Sequence, residues 1–190
     1  MASPAIKPLK VTLVGNAGCG KTSLILRFVD NTFYPDTTAL ADFEYKARNL
    51  GPEIPCKLVV FDTEGQEKFR KLTSGFFKDS DGIIVCYDCT DKQSWEDTGN
   101  WFKEISREFR EDEAHNPWML IGTKADLENK VVTEQEGRTV AETVYNIPFA
   151  LTSSKTGDGV DDAFKRFAKS ILGLDKPQES SPRHVCCHIS

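Results

Sequence analysis

Apolar positions recur along this chain in two alternating rhythms, one of period two and one near 3.6. Leu9, Val11, Leu13 and Val14 form a short run that predicts a buried strand, and residues 23–29 follow with a helical pattern. Phe43, Tyr45 and Ala47 alternate with Asp42, Glu44 and Lys46, which predicts a half-exposed strand over 40–47. Turn chemistry at Asn49-Leu50-Gly51-Pro52 leads into a strand over 56–61, its hairpin partner. Residues 82–87 and 118–122 are nearly continuous apolar runs, as central parallel strands covered on both faces require. Between them a helix is predicted over 94–110, where Trp95, Trp101, Phe102, Ile105 and Phe109 recur at helical spacing as core contacts. A helix over 134–144, a strand over 147–151 and a helix over 160–172 complete the series. Strand–helix alternation of this kind predicts an open α/β sheet with helices on both faces and ligands at the carboxyl ends of the strands.

Composition narrows the class. The chain has 190 residues and 39% hydrophobic content, enough for one domain with a sizeable core and no run long enough to span a membrane. Its start, MASPAIKPLK, lacks an apolar signal segment, which predicts a protein made and kept in the cytosol. The net charge of −5 and the lack of a basic stripe argue against nucleic-acid binding. Cys19, Cys56, Cys86 and Cys89 fall in predicted strands or in a glycine-rich loop, with no metal-ligand spacing to histidine. The Cys86-x-x-Cys89 pair is open to a redox or zinc half-site reading, but small core residues are the better one.

From Gly173 onward the chain is polar and proline-containing, so residues 173–190 are predicted to be a flexible tail. It ends Cys186-Cys187-His188-Ile189-Ser190, a C-a-a-X arrangement with Ser at X that is associated with farnesylation of Cys187. His188 is an unusual occupant of the first aliphatic slot, and a chance cysteine pair is the alternative. One prenyl chain anchors marginally, and only Lys176 and Arg183 are cationic in the tail. Cys186 is therefore the candidate for a second lipid that would hold the chain on a membrane.

The chemistry concentrates in a few strings. Gly15, Asn16, Ala17, Gly18, Cys19, Gly20, Lys21 and Thr22 read GNAGCGKT, a complete G-x-x-x-x-G-K-[ST] phosphate loop between a strand and a helix. Its glycines let successive N–H groups turn inward on a polyphosphate, Lys21 reaches the β/γ-phosphates, and the Thr22 hydroxyl ligates Mg²⁺. Thr123-Lys124-Ala125-Asp126 follows a buried strand. The Asp126 carboxylate there accepts both the N1–H and the 2-amino group of guanine, which adenine cannot supply, while Lys124 lies along the base. Asp62-Thr63-Glu64-Gly65-Gln66 follows another strand, with a carboxylate for the Mg²⁺ shell, a glycine N–H for the γ-phosphate and a glutamine to orient water. Ser153-Ser154-Lys155 follows the last strand and supplies backbone donors for the guanine O6. Beside the phosphate loop each of the shorter strings is weak alone; together in this order, each at a strand's carboxyl end, they point to GTP/GDP with Mg²⁺. A phosphate-loop ATPase or kinase is the reading that Asp126 argues against.

With these segments in place, residues 9–172 resemble the Ras superfamily of small GTPases, and most closely its Rab branch. The Rab-like features are the run Phe61-Asp62-Thr63-Glu64-Gly65-Gln66-Glu67-Lys68-Phe69-Arg70, then Leu72-Thr73, Phe76-Phe77 and the run from Asp81 to Asp88. The resemblance implies a P-loop NTPase small G domain over 1–172, with a mostly parallel six-stranded sheet and one antiparallel edge strand. It implies that Phe33 packs on the guanine edge, that Thr38 joins Thr22 on Mg²⁺, and that Asp62 reaches the metal through water. Gly65 would hold the second switch on the γ-phosphate and Gln66 would position the attacking water. Hydrolysis would be slow, with no arginine evident in cis, so a partner-supplied arginine is expected. It further implies an exchange factor, a GTPase-activating protein and effectors as partners of a monomer, and a role in vesicle trafficking.

Departures from the pattern carry their own expectations. The first switch loop is shorter by two residues between Phe33 and Thr38, which leaves Thr37 as an alternative metal ligand. Thr123 stands where asparagine is usual and Ser154 where alanine is usual; both should be tolerated. Glu64 is the serious departure, since a small residue is usual there. A carboxylate about 5 Å from a phosphate charge costs roughly 3 kcal/mol at an effective dielectric near 20. Either Glu64 turns outward and the switch is normal, or GTP binding or hydrolysis is impaired and the chain is a GTP-binding scaffold.

Overall fold

The computed structural model describes residues 7–36, 43–63, 77, 79–108 and 117–174. Six strands form one sheet in the order β2-β3-β1-β4-β5-β6. These are β1 (Lys7–Val14), β2 (Tyr45–Asn49), β3 (Cys56–Asp62), β4 (Gly82–Asp88), β5 (Trp118–Thr123) and β6 (Phe149–Leu151). Only β2 runs antiparallel, on the edge beside β3, as the alternation predicted. The order reverses at β1, so the loop leaving β1 sits at a topological switch point, where α/β sheets bind ligands.

Each face of the sheet has its own apolar layer. Ile84 and Cys86 of β4 pack with Leu9, Val11 and Leu13 against α1 (Lys21–Asp30) and, through Phe164 and Phe167, against a C-terminal helix of residues Val160–Ile171. Ile83, Val85 and Tyr87 point the other way, toward Phe102, Ile105 and Phe149. Both registers of β4 are thus buried, which explains its unbroken apolar run. Cys19, Cys56, Cys86 and Cys89 are buried, and burial pushes the Cys89 thiol up to about 11, helped by the neighbouring Asp88 carboxylate. All four are small core residues, and the Cys56 thiol is likewise pushed up by burial.

Several elements depart from the sequence reading. The helix predicted over 94–110 is two: α2 (Lys92–Glu96) and α3 (Thr98–Glu108), interrupted at Asp97, whose carboxylate is taken by Asn16 and Asn100; Phe109 lies outside the described residues. The helix predicted over 134–144 is α4 (Glu134–Val140), opened by a Thr133–Glu136 capping box, followed by a π turn at Ala141–Tyr145. That wider turn lays Tyr145 on Phe102, with ring centroids 4.0 Å apart. The last strand starts at Phe149 and not at Ile147, since Pro148 has no N–H to give a ladder. The C-terminal helix is α5 (Val160–Ile171).

The largest correction is β2, which begins at Tyr45; residues 40–42 lie outside the described ones. Phe43, ahead of the strand, packs against the core, but within β2 the facing departs from the alternation: Tyr45 is 54% exposed, while Lys46 and Arg48 lie over the sheet face that meets α1. Arg48 stacks on the Phe28 ring and donates to the Phe28 carbonyl and to Asp161, so its stem covers apolar surface that the pattern assigned to aromatics.

Tyr87 is fully buried, yet its hydroxyl has no hydrogen-bond partner among the described residues. Gly122 and Gly137 make room for it; a methyl on Gly137 would lie 2.5 Å from that oxygen. Burial, with lesser contributions from Cys89, Glu136 and Glu134, holds the hydroxyl's pKa far above its usual value, so it stays neutral. Tyr87→Phe keeps the ring and removes the unpaired group, and should stabilise the fold by about 1 kcal/mol. The expected readout is a melting temperature raised by about 2–4 °C; a lower one would mean that the hydroxyl is satisfied.

Candidate functional site

The loop from Gly15 to Thr22 curls because three of its glycines adopt conformations that other residues avoid: φ is 145° at Gly15, 75° at Gly18 and 91° at Gly20. Gly20 caps α1, which therefore starts at Lys21, earlier than the apolar pattern indicated. Lys21 is 1% exposed, and its Nζ donates to the carbonyls of Gly15 and Asn16 at 2.9 Å each. No carboxylate among the described residues pairs with this desolvated ammonium. A buried cation in a ring of backbone groups at a helix N-terminus fits a polyphosphate. Ala17 and Gly18 form the exposed crest, where a methyl on Gly18 would meet nothing within 4 Å.

Beside the loop, the Thr22 hydroxyl donates to Asp62 Oδ2 at 2.5 Å, with both residues buried. The β1–β3 register, with Leu13 opposite Asp62, brings them together. Hydroxyl and carboxylate oxygens are the hard donors that Mg²⁺ takes alongside phosphate and water, so the pair fits that ion. Thr37, Thr38, Glu64, Gly65 and Gln66 lie outside the described residues.

A cavity of about 510 Å³ joins this loop to the base-reading strings. Gly18, Gly20, Phe33, Thr123, Lys124, Asp126, Ser154 and Lys155 all line it. Each predicted base contact is held in place by another loop. Thr123 Oγ1 donates to the Cys19 carbonyl at 2.6 Å and to the Tyr87 carbonyl at 3.0 Å, which bolts β5 to the phosphate loop and β4. Lys124, at φ 57°, donates to the Gly18 carbonyl at 2.9 Å and pairs with Asp88 at 2.6 Å. Asp126 Oδ1 accepts the Ser153 hydroxyl at 2.7 Å, and Lys155 Nζ lies 4.0 Å from its other oxygen. Its side chain keeps 15% exposure, facing the cavity.

Three supporting contacts escaped the sequence reading. The Asn16 side chain donates to Asp97 at 2.7 Å and accepts the Trp101 indole N–H at 3.0 Å, so the break between α2 and α3 buttresses the phosphate loop. Trp101, read as a core contact, does pack partly buried against the core but also makes this polar link. Arg27 ties α1 to the Ser153–Lys155 loop. No local signal marks these residues, because their partners are distant in sequence.

A mostly parallel six-stranded sheet with a phosphate loop at its switch point and base-reading loops beyond neighbouring strands is a P-loop NTPase domain of the small G type. The Ras family model matches residues 10–173. Ras-related protein SEC4 of Saccharomyces cerevisiae is 38% identical over 86% of this chain and 74% of that protein. Ras-related proteins Rab-1D and Rab-8B of Dictyostelium discoideum are 40% identical over 92% of this chain (84% of that protein) and 37% identical over 98% (95% of that protein). The chain belongs to the Ras family as a small GTPase close to the Rab proteins.

Proposed function

We propose that this chain binds GTP and GDP with Mg²⁺, hydrolyses GTP slowly, and acts as a membrane-associated switch in vesicle trafficking. The observation that carries the reading is the single cavity in which Asp126 faces the phosphate loop, with Thr123 bonded to Cys19 between them. Lys21 and the loop amides would hold the phosphates; Thr22 and Asp62, with Thr38 or Thr37, would hold Mg²⁺. When bound, the ion neutralises charge that develops on the β- and γ-phosphate oxygens. Gln66 orients water for in-line attack, Gly65 donates to the γ-phosphate, and Phe33 flanks the base. A partner-supplied arginine completes the charge stabilisation, worth roughly 10³–10⁵ in rate.

Residues 1–172 form the G domain and 173–190 its tail. The protein is a monomer whose switch regions meet an exchange factor, a GTPase-activating protein and effectors, and it binds no nucleic acid. No helix of the described residues is long and apolar enough to cross a membrane. Attachment to a cytosolic membrane face falls instead to lipids on Cys187 and Cys186, and intact-mass measurement of protein from native cells tests this, an unmodified C-terminus ruling it out.

Nucleotide content and turnover of purified protein with Mg²⁺ test the core reading: co-purified guanine nucleotide supports it, and ADP binding as tight as GDP overturns it. A second reading, a hydrolysis-impaired scaffold, is motivated by Glu64, a carboxylate at the position where the Ras-superfamily pattern has a small residue close to the γ-phosphate. If it holds, Glu64→Ala should raise single-turnover hydrolysis or GTP affinity about tenfold or more, the scale that charge repulsion sets. Indistinguishable values would leave the normal switch.

A further inference from the structure

Arg27 lies in the last turns of α1, away from the phosphate loop that opens the same helix. All of its guanidinium nitrogens are engaged. Nε donates to the Ser154 carbonyl at 2.6 Å and Nη2 to the Lys155 carbonyl at 3.0 Å. Nη1 donates to the backbone carbonyl and side-chain oxygen of Asn31, at 3.0 and 3.1 Å. Asn31, in the left-handed conformation at φ 53°, closes the helix and turns its carbonyl back to this nitrogen. Among the described residues the Ser154 and Lys155 carbonyls have no other hydrogen-bond partner.

The consequence follows from the planar trans peptide. A carbonyl and the next residue's N–H point in opposite directions across one plane. With the Ser154 carbonyl drawn outward to Arg27, the Lys155 N–H faces the other way, toward the cavity that Ser154 and Lys155 line. Ser153 is fixed separately: its hydroxyl binds Asp126, its carbonyl accepts the Gly157 N–H at 2.8 Å, and its N–H donates to Asp158 at 3.0 Å. The carboxylate that reads N1–H and the 2-amino group therefore has its own support, and the Lys155 amide, a donor for O6, has Arg27.

We propose that Arg27 is the positioning residue for recognition of the guanine O6, and that α1 serves as a rigid spacer setting the base loop relative to the phosphate loop. The guanidinium does not line the cavity; it acts by orienting the Ser154–Lys155 peptide. This rests on the guanine-nucleotide reading above.

The test compares nucleotide analogues on the purified full chain with Mg²⁺. GDP, 6-thioguanosine diphosphate and inosine diphosphate are measured against wild type, Arg27→Ala and Arg27→Lys. The thio analogue replaces the O6 acceptor by a weaker one and keeps N1–H and the 2-amino group. The inosine analogue lacks only the 2-amino group, which Asp126 reads. In Arg27→Ala the GDP Kd should rise about tenfold, the scale of one lost neutral hydrogen bond. The preference for GDP over the thio analogue should shrink at least threefold (a threshold of order RT) while the preference over the inosine analogue holds. Arg27→Lys, with its charge and stem but one nitrogen, should recover part of the thio discrimination, and it carries the test if the alanine variant does not fold. A generally loosened site would weaken all three nucleotides alike. Unchanged discrimination in both variants, or equal loss of both preferences, overturns the proposal. Wild-type protein that does not prefer GDP to ADP would instead overturn the guanine reading itself.

Discussion

Asp126→Asn should weaken GDP binding about a thousandfold while leaving the fold intact. Asn preserves the shape and still accepts the Ser153 hydroxyl now held at 2.7 Å. What changes is the group that faces the base. A carboxylate accepts two charge-assisted hydrogen bonds from guanine, each worth about 1.5–3 kcal/mol. The amide loses the charge and turns an N–H₂ donor against guanine's own donors, and a site built on such contacts rejects a mismatched partner by several orders of magnitude. The same amide matches a 2-oxo purine, so xanthosine diphosphate should gain as GDP loses. Equilibrium titration with both nucleotides, alongside a melting curve, checks this. Binding of GDP within about tenfold of wild type would remove Asp126 from base recognition.

Gly15→Ala should be the most damaging single methyl in the loop. At φ 145°, a methyl on Gly15 would sit 2.2 Å from the Cys86 carbonyl and 3.0 Å from Cys19 Sγ. Cys86 is in the buried centre of β4 and cannot retreat without breaking the β4–β5 register. Overpacking and backbone strain each cost about 1–3 kcal/mol, so the sum is about 2–6 kcal/mol. The loop would move away from β4 and take along the carbonyl that holds Lys21. Gly18→Ala separates the two causes, because its methyl enters open space at φ 75° and meets only strain. The expected order of melting temperatures is wild type, then Gly18→Ala, then Gly15→Ala lowest, by about 5 °C or more. Equal melting of the two variants would refute the contact argument.

Much of this site was legible in the chain because its parts are local strings that follow apolar runs. GNAGCGKT and Thr123-Lys124-Ala125-Asp126 each carry their chemistry within a few residues, and the strands ahead of them announce themselves by β-branched apolar content. The supports were not legible. Asn16 meets Asp97 across 81 residues and Arg27 meets Ser154 across 127, and no periodicity encodes such pairings. The facing of β2 misled for a different reason. An alternating pattern assumes that polar side chains avoid the covered face, but on this edge the stems of Lys46 and Arg48 form the cover and their charges reach Asp30 and Asp161. The break at Asp97 was hidden because the apolar spacing runs on across it despite Gly99; the carboxylate's tie to Asn16 holds the bend.

The bolts between loops also bear on when the site comes into being. Thr123 reaches Cys19 across 104 residues and Lys124 reaches Gly18 across 106, so the cavity exists only once β1, β4 and β5 are aligned. Contacts this distant form late, after the chain has met its loop-closure entropy. A partly folded chain thus has no nucleotide site at all, and nucleotide binds the finished domain alone. At about a thousand times its Kd, a ligand of that kind adds about 4.1 kcal/mol to the native state. Cellular nucleotide would then set how long each copy of this protein survives as well as what it signals, with an emptied copy the first to unfold.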